Sequence, residues 1–298
     1  MTEARTARWR PPFRLHLERT LGGLSRGAYD PSAFFDRDGS FWRATRTPEG
    51  PATTRYRHDG EEILGESWGP GAAWSLAQMP ELLGARDDLE GFEPSGKLKE
   101  LHRRLYGLRM PRTRAIYEAL LRSVLEQKVT GKEAQRGYRG ILRTFGERAP
   151  GPQELYVPPT PERLAGVPYY DLHPLGVEMR RAETLRRVAT VGAELEALAD
   201  QPLEAARARL LAIPGIGEWT VAEVSLLALG DADAVSVGDY HLKNTVTYAF
   251  TGRARGTDEE MLELLEPYRP HRGRVIRLIE AAGIHAPKFG ARQKLRRF

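Results

Sequence analysis

The fold of this chain is decided by one stretch, Leu211-Ala212-Ile213-Pro214-Gly215-Ile216-Gly217-Glu218-Trp219-Thr220. A helical run from residue 204 stops at Pro214 and a second apolar run starts at Trp219, which predicts two helices joined by a tight hairpin. Gly215 and Gly217 lack a Cβ, so the peptide N–H groups that open the second helix can approach a phosphate, where the helix dipole also favours an anion. The same pattern occurs in ordinary corners between helices, so the hairpin alone leaves the function open.

A carboxylate follows about twenty residues later, in Val237-Gly238-Asp239-Tyr240. Asp239 precedes a helix predicted over 240–250, where an N-cap is worth typically about 1 kcal/mol. A capping position holds a carboxylate rigidly and leaves one oxygen free to face a cleft. A structural role and a chemical role for Asp239 are therefore compatible.

These two stretches, together with Leu125-Glu126-Gln127-Lys128-Val129-Thr130, resemble the helix-hairpin-helix (HhH-GPD) superfamily of DNA glycosylases. The chain looks most like the 3-methyladenine DNA glycosylase II (AlkA-like) branch, because Trp219 stands where bifunctional members carry a Schiff-base lysine. The resemblance implies an α+β N-terminal domain followed by an all-α helix-hairpin-helix glycosylase body.

Residue patterns divide the chain in the same way. Alternation of apolar and polar residues predicts a strand over 13–18, Asp-Gly pairs at 38–39 and 59–60 predict hairpin turns, and a helix is predicted over 72–83. We place a small α+β domain, with an antiparallel sheet and a helix, at residues 1–95. Residues 96–298 are expected to form an all-α body of two helical subdomains with the cleft between them. The basic C-terminal tail is 285–298.

Helical periodicity fills most of this body. The predicted helices span 115–127, 178–200, 203–211, 218–229, 240–250 and 272–282, with others opened by Thr-x-x-Glu capping boxes at Thr130 and Thr257. Residues 149–176 receive no assignment.

Composition limits the possible functions. With 298 residues, 41% hydrophobic and 29% charged, the chain is predicted to be globular, without a membrane span or secretory signal, and cytoplasmic. The absence of cysteine excludes disulfides, thiolate zinc sites and a four-cysteine iron–sulfur cluster. The net charge is +5, and residues 97–148 hold fourteen Lys/Arg against five Asp/Glu, which suits either phosphate contacts or a solvated helix surface.

Removal of a base from duplex DNA requires that the nucleotide is flipped out, its base is held and the positive charge on the sugar is stabilised. The resemblance makes Asp239 the catalytic aspartate, which stabilises that charge and orients or deprotonates a water molecule. An indole at Trp219 cannot form an imine, so we expect a monofunctional enzyme without lyase activity.

The resemblance also implies a base pocket formed by Trp219, Tyr240, Glu223 and Glu280. Trp219 can equally serve in packing. Glu223 stands where the branch has a tyrosine and Glu280 where it has a tryptophan, and each glutamate can line the cleft or form an outward salt bridge. If both face the cleft, hydrogen bonds and charge rather than stacking would select the substrate.

DNA contacts are expected at two places. The predicted contact residues are Gly215, Gly217, Trp219, Lys128, Val129, Thr130 and Lys243. A long cation at Lys128 departs from the apolar wedge that is usual in the branch, so Val129 can fill the gap left by the flipped nucleotide instead. The resemblance implies a Na⁺ or K⁺ ion on the backbone carbonyls of Leu211, Ile213 and Ile216, with no other cofactor.

We therefore expect a monomeric DNA glycosylase of base excision repair that acts on double-stranded DNA containing an alkylated purine and has no membrane partner. One alternative is the same fold acting on a different damaged base, deaminated or carrying a bulky adduct. Another is a non-catalytic helix-hairpin-helix DNA-binding protein, which would have no need for Asp239.

Overall fold

A five-stranded antiparallel sheet forms the N-terminal part of the chain, which the computed structural model describes over residues 3–27 and 29–287. Its strands are β1 (Arg5–Trp9), β2 (Ala33–Phe35), β3 (Phe41–Thr47), β4 (Gly50–Asp59) and β5 (Glu62–Trp68), in the spatial order β1-β5-β4-β3-β2. The two predicted Asp-Gly turns are confirmed, with Gly39 and Gly60 at φ values of 81° and 65°. The α+β class of this part is therefore as predicted.

The strand predicted over 13–18 is wrong. The first strand lies earlier, at β1, where it pairs with β5. Pro11 and Pro12 end it because proline has no amide hydrogen to donate to a sheet. Residues Leu17–Leu21 instead form the helix α1, and the His16 side chain accepts a hydrogen bond from the backbone N–H of Arg19 at its start.

Helices make up nearly all of the regular secondary structure in the rest of the described chain, so the predicted all-α body departs from the prediction only by one short two-stranded ribbon. They are α2 (Ala72–Leu82), α3 (Gly96–Arg104), α4 (Ile116–Glu126), α5 (Gly131–Phe145), α6 (Pro161–Ala165), α7 (Tyr169–Leu172), α8 (Met179–Thr190), α9 (Gly192–Leu195), α10 (Leu203–Leu211), α11 (Glu218–Val224), α12 (Leu242–Thr251), α13 (Asp258–Leu265) and α14 (Arg272–Ala281). Two short strands, β6 (Glu147–Arg148) and β7 (Tyr156–Val157), pair with each other. Within the described ranges, no helix combines the length and apolar character that a membrane crossing requires.

The single helix predicted over 178–200 is broken into α8, α9 and a 3₁₀ turn, Glu196–Asp200. The break falls at Gly192, which packs against Pro161 so closely that a Cβ at residue 192 would lie 2.5 Å from the proline ring. The helix predicted over 218–229 is present, but its second half, Ser225–Leu229, is a π-helix. Periodicity alone marks neither feature.

The helical body has two separate apolar clusters. The larger contains the buried faces of α4, α5, α8 and α11, and the smaller is formed by α3, α12, α13 and α14. Helix α3, which opens the predicted 96–298 body, belongs to the smaller cluster through Leu98 and Leu101. Asp239 lies on the segment that connects α11 in one cluster to α12 in the other, so the fold places this carboxylate where the two clusters meet.

Candidate active site

The predicted hairpin joins α10 to α11. Gly215 has a φ of 96°, and a Cβ there would overlap the Thr184 side chain, so both backbone conformation and packing require glycine. Gly217 is extended, with φ −113° and ψ 179°, and its Cβ position has no atom within 4 Å. The space in front of the first amides of α11 is therefore open.

The second motif of the sequence lies against this hairpin. Gln127 Nε2 donates to Gly215 O and to Thr220 Oγ1, each at 3.0 Å. Lys128 follows in the left-handed region at φ 53°, and Thr130 then opens α5 with the predicted capping box. Both stretches predicted to contact DNA therefore lie side by side.

Asp239 is held by its own loop (residues 235–241), here called the Asp239 loop. Its Oδ1 accepts hydrogen bonds from the backbone N–H groups of His241 at 2.7 Å and Leu242 at 2.8 Å, which caps α12 two residues later than predicted. Its own N–H donates to Ser236 O at 3.2 Å. One carboxylate oxygen, Oδ1, is thus fixed by backbone amides, and the other, Oδ2, takes no part in these backbone contacts.

Trp219 supplies a hydrogen bond that the sequence did not predict. Its indole Nε1 donates to Asp239 Oδ2 at 3.3 Å, and the ring is half-buried. Tyr240, predicted for the same pocket, is 79% exposed, and its ring lies edge-on to that of His241. Of these two aromatic residues, Trp219 is the one in contact with the carboxylate.

The two glutamates predicted for the pocket differ in their surroundings. Glu223 Oε1 accepts a hydrogen bond from Ser236 Oγ at 2.6 Å, and burial raises the pKa of Glu223 to about 7. Glu280 is bound to Arg277, with 3.1 Å between Nη1 and Oε2, and contributes to the raised pKa of Glu223. Glu223 is thus the more buried of the two carboxylates, and Glu280 is more exposed and lies in a salt bridge.

Arg26 is a residue of this site that the sequence did not reveal. It lies on the loop between α1 and β2, here called the Arg26 loop, and its Nε is 3.2 Å from Glu126 Oε1. Its Nη2 lies 3.9 Å from Glu223 Oε2. These residues are far apart in the chain, and no local pattern marks Arg26, so only the tertiary structure brings them together.

Lys243 and the hairpin carbonyls remain predictions in their expected roles. Lys243 Nζ is 3.1 Å from Asp258 Oδ2, and Asp258 Oδ1 also accepts the backbone N–H of Gly238. Ile213 O accepts the backbone N–H of Ile216 at 3.0 Å and so closes the hairpin turn.

Four basic residues of the 97–148 segment form a stripe on the outer face of α5. Its members are Lys132, Arg136, Arg139 and Arg143. They recur at helical spacing opposite the buried face, and among the described residues none of the four is in an ion pair with a carboxylate. Of the tail predicted at 285–298, residues 288–298 lie outside the described residues.

Comparison with known proteins assigns this arrangement to a family. DNA-3-methyladenine glycosylase 2 of Escherichia coli is 29% identical over 204 residues, which cover 68% of this chain and 70% of that protein. YfjP of Bacillus subtilis is 27% identical over 161 residues, which cover 53% of this chain and only 55% of the relative.

Among solved structures, the 3-methyladenine DNA-glycosylase of Archaeoglobus fulgidus has the same fold, with a TM-score of 0.78 at 20% identity over 92% of this chain and 97% of that chain. The family model described as the HhH-GPD superfamily base excision DNA repair protein matches residues 121–270, which include the hairpin and Asp239. The chain therefore belongs to the HhH-GPD superfamily of base excision DNA repair proteins.

Proposed function

We propose that this protein is a monofunctional DNA glycosylase that removes an alkylated purine from double-stranded DNA, with Asp239 and water. The observation that carries the proposal is the Asp239 carboxylate, which is fixed at the junction of two helical clusters beside an open hairpin. The name of the Escherichia coli relative supports alkylated bases as the substrate class.

The fixed carboxylate suits the chemistry of glycosidic bond cleavage. As the bond between C1′ and the base nitrogen breaks, the base takes the electron pair and positive charge develops on the sugar. An ionised Asp239 stabilises that charge, orients the attacking water and accepts its proton as the water oxygen bonds to C1′. Because Oδ1 is already bound to two backbone amides, the carboxylate needs little reorganisation when charge develops.

The absence of an amine at residue 219 supports hydrolysis without strand cleavage. The indole of Trp219 donates a hydrogen bond to Asp239 and cannot attack C1′ to form an imine. Lys243 follows Asp239 closely in sequence, but its ammonium group is bound to Asp258. Borohydride should therefore trap no adduct between the protein and DNA, and a trapped adduct would contradict this part of the proposal.

The DNA is expected to lie across the hairpin, where the amides of Gly215, Gly217 and Trp219 would contact a phosphate. Residues 128–130 lie beside the hairpin and would fill the gap left by the flipped nucleotide, and Lys243 would contact the backbone. An alkali-metal ion on the hairpin carbonyls, a monomeric state and a cytoplasmic location remain predictions.

The decisive experiment incubates the protein with duplexes that carry a single alkylated, deaminated or oxidised base, followed by alkaline cleavage of abasic sites. We expect cleavage on the alkylated duplexes. Cleavage on deaminated duplexes alone would favour a different damaged base. Salt-sensitive binding without cleavage of any duplex would favour the non-catalytic DNA-binding protein instead.

A further inference from the structure

The cleft beside Asp239 contains charged side chains that the proposed reaction does not use. The carboxylates of Glu126 and Glu280 lie close enough to Glu223 to interact with it electrostatically. Arg26 contacts Glu126 at 3.2 Å and approaches Glu223 at 3.9 Å, while Arg277 is bound to Glu280 at 3.1 Å. Three carboxylates are thus matched by two guanidinium groups, which leaves one negative charge in excess when all are ionised.

Two connections link Glu223 to the carboxylate of Asp239. Glu223 follows Trp219 by one turn of α11, so the two side chains lie on the same side of the helix, and the Trp219 indole donates to Asp239. Ser236 forms the second connection, since its hydroxyl donates to Glu223 and its carbonyl accepts the N–H of Asp239. Because Glu223 and Asp239 share Ser236 as a partner, we expect the Glu223 carboxyl group to reach a base whose sugar lies at Asp239.

The position of Arg26 is fixed by a buried ion pair. Asp30 Oδ2 accepts the backbone N–H of Arg26 at 2.8 Å and lies 3.2 Å from Arg122 Nη1, and the Asp30 side chain is fully buried. The side chains of Arg26 and Glu223 themselves remain 29% and 21% exposed. They are therefore held in place and still accessible to a ligand.

The electrostatics of Glu223 indicate which ligand would suit it. Burial, Glu126 and Glu280 all raise the pKa of Glu223, whereas Arg26 and the Ser236 hydroxyl lower it, and the balance leaves this pKa at about 7. The guanidinium group of Arg26 thus does not offset the rise in the pKa of Glu223 that burial and the two neighbouring carboxylates cause. A further cation in the cleft would stabilise ionised Glu223, and a neutral base would not.

We propose that Glu223, positioned by Arg26, is a specificity-determining residue that selects a flipped base carrying a positive charge. This inference rests on the glycosylase activity proposed above. A purine nucleotide alkylated at N3 or N7 carries that charge, whereas a deaminated purine such as hypoxanthine is neutral.

The test compares single-turnover release of 3-methyladenine from DNA methylated with dimethyl sulfate and of hypoxanthine from a duplex, between pH 5.5 and 8.5. At protein concentrations below saturation, release of 3-methyladenine by the wild type should rise with pH through about 7, because the ionised form of Glu223 appears there in the free protein. Glu223→Gln should abolish this rise and lower 3-methyladenine release about 10-fold at pH 8, the value of one charged hydrogen bond. Release of hypoxanthine should change by less than about 2-fold.

Variants of Arg26 test its positioning role. Arg26→Ala removes a cation next to Glu223 and should move the midpoint of the rise to higher pH, whereas Arg26→Lys should keep it. Glu263→Gln, an exposed carboxylate on α13, serves as the control and should match the wild type. Unfolding temperatures of all variants establish that each is folded.

Each result has a distinct meaning. An unchanged pH profile in Glu223→Gln, or an equal loss of both activities, would overturn the inference while leaving the glycosylase proposal intact. A wild-type protein that releases neither base would overturn the proposed function and the inference with it.

Discussion

The Asp239 loop and the Arg26 loop each place one charged side chain in the same cleft, but they hold it by different means. Asp239 is fixed by the amides of residues that follow it directly, His241 and Leu242. Arg26 is fixed through Asp30, whose partner Arg122 comes from α4. The proposed chemistry therefore depends on a local hydrogen-bonding pattern, and the proposed choice of substrate depends on packing between the N-terminal part and the helical body.

The Asp30–Arg122 pair belongs to a larger buried network. Arg122 Nη2 lies 3.6 Å from Glu118 Oε1, and Glu118 Oε2 lies 3.2 Å from Arg43 Nη2 on β3. Arg122 also lies over the ring of Tyr138, at 4.5 Å from the ring centroid. Buried charges of this kind contribute little net stability as a set, but removal of one partner leaves another charge uncompensated.

The largest effect is therefore expected from Asp30→Ala, which breaks the support of Arg26 and leaves Arg122 with one partner fewer. We expect the free energy of unfolding to fall by about 3–5 kcal/mol, measured by urea denaturation. Asp38→Ala removes a carboxylate that is 51% exposed and paired with Arg55, so it should lower the free energy by less than about 1 kcal/mol. Equal decreases in the free energy of unfolding in the two variants would show that burial does not make the Asp30–Arg122 pair more important for stability than the Asp38–Arg55 pair.

The second effect is expected at Asp239, whose carboxylate is held by the backbone of neighbouring residues. Asp239→Asn keeps a side-chain oxygen that can cap α12 but removes the negative charge, so single-turnover excision should fall at least about 100-fold. Binding to the same duplex, measured by fluorescence anisotropy, should remain. Unchanged excision would refute the assignment of Asp239.

A smaller effect is expected at Trp219, which links the two parts of the site. Trp219→Phe retains an aromatic ring and removes the N–H that donates to Asp239 Oδ2. Single-turnover excision should fall about 5- to 10-fold, as for the loss of one hydrogen bond of ordinary strength, because this bond is long at 3.3 Å. A loss as large as that of Asp239→Asn would mean that the Asp239 carboxylate acts only when the indole N–H is bound to it.

A last effect concerns the pH dependence of stability, which does not involve the chemistry of either loop directly. Burial raises the pKa of Glu223 and of Glu196 to about 7, so the folded protein binds more protons than the unfolded chain between about pH 4.5 and 7. The free energy of unfolding should therefore decrease as pH rises through this interval, by about 1.4 kcal/mol for each unit by which a pKa is raised. The double variant Glu196→Gln, Glu223→Gln should lack this decrease in urea titrations at pH 5 and pH 8. A decrease of the same size in the double variant would assign it to other groups.

The difference between the two loops also explains what the sequence could predict. The hairpin glycines, the cap at Asp239 and the capping box at Thr130 follow from interactions within a few residues, and the structure contains each of them. The Asp-Gly turns of the sheet are local features in the same sense.

Features that depend on distant partners could not be predicted. The first strand was placed at 13–18 because alternation there resembles a strand, whereas pairing with β5 selects residues Arg5–Trp9. The break at Gly192 depends on Pro161, and the contact of Arg26 with Glu223 depends on a loop from the other side of the cleft. In each case the determining contact joins residues that are too far apart in the chain for a local sequence pattern to reveal it.

The position of Trp219 has a practical consequence. The chain has five tryptophans, and the other four, Trp9, Trp42, Trp68 and Trp74, all precede residue 95. Trp219 lies on α11, which contributes buried residues to the larger helical cluster, and its indole is bound to a carboxylate on the segment that leads into the smaller one. Its fluorescence is therefore an intrinsic optical reporter of the cleft, which can record the arrival of DNA without any attached dye.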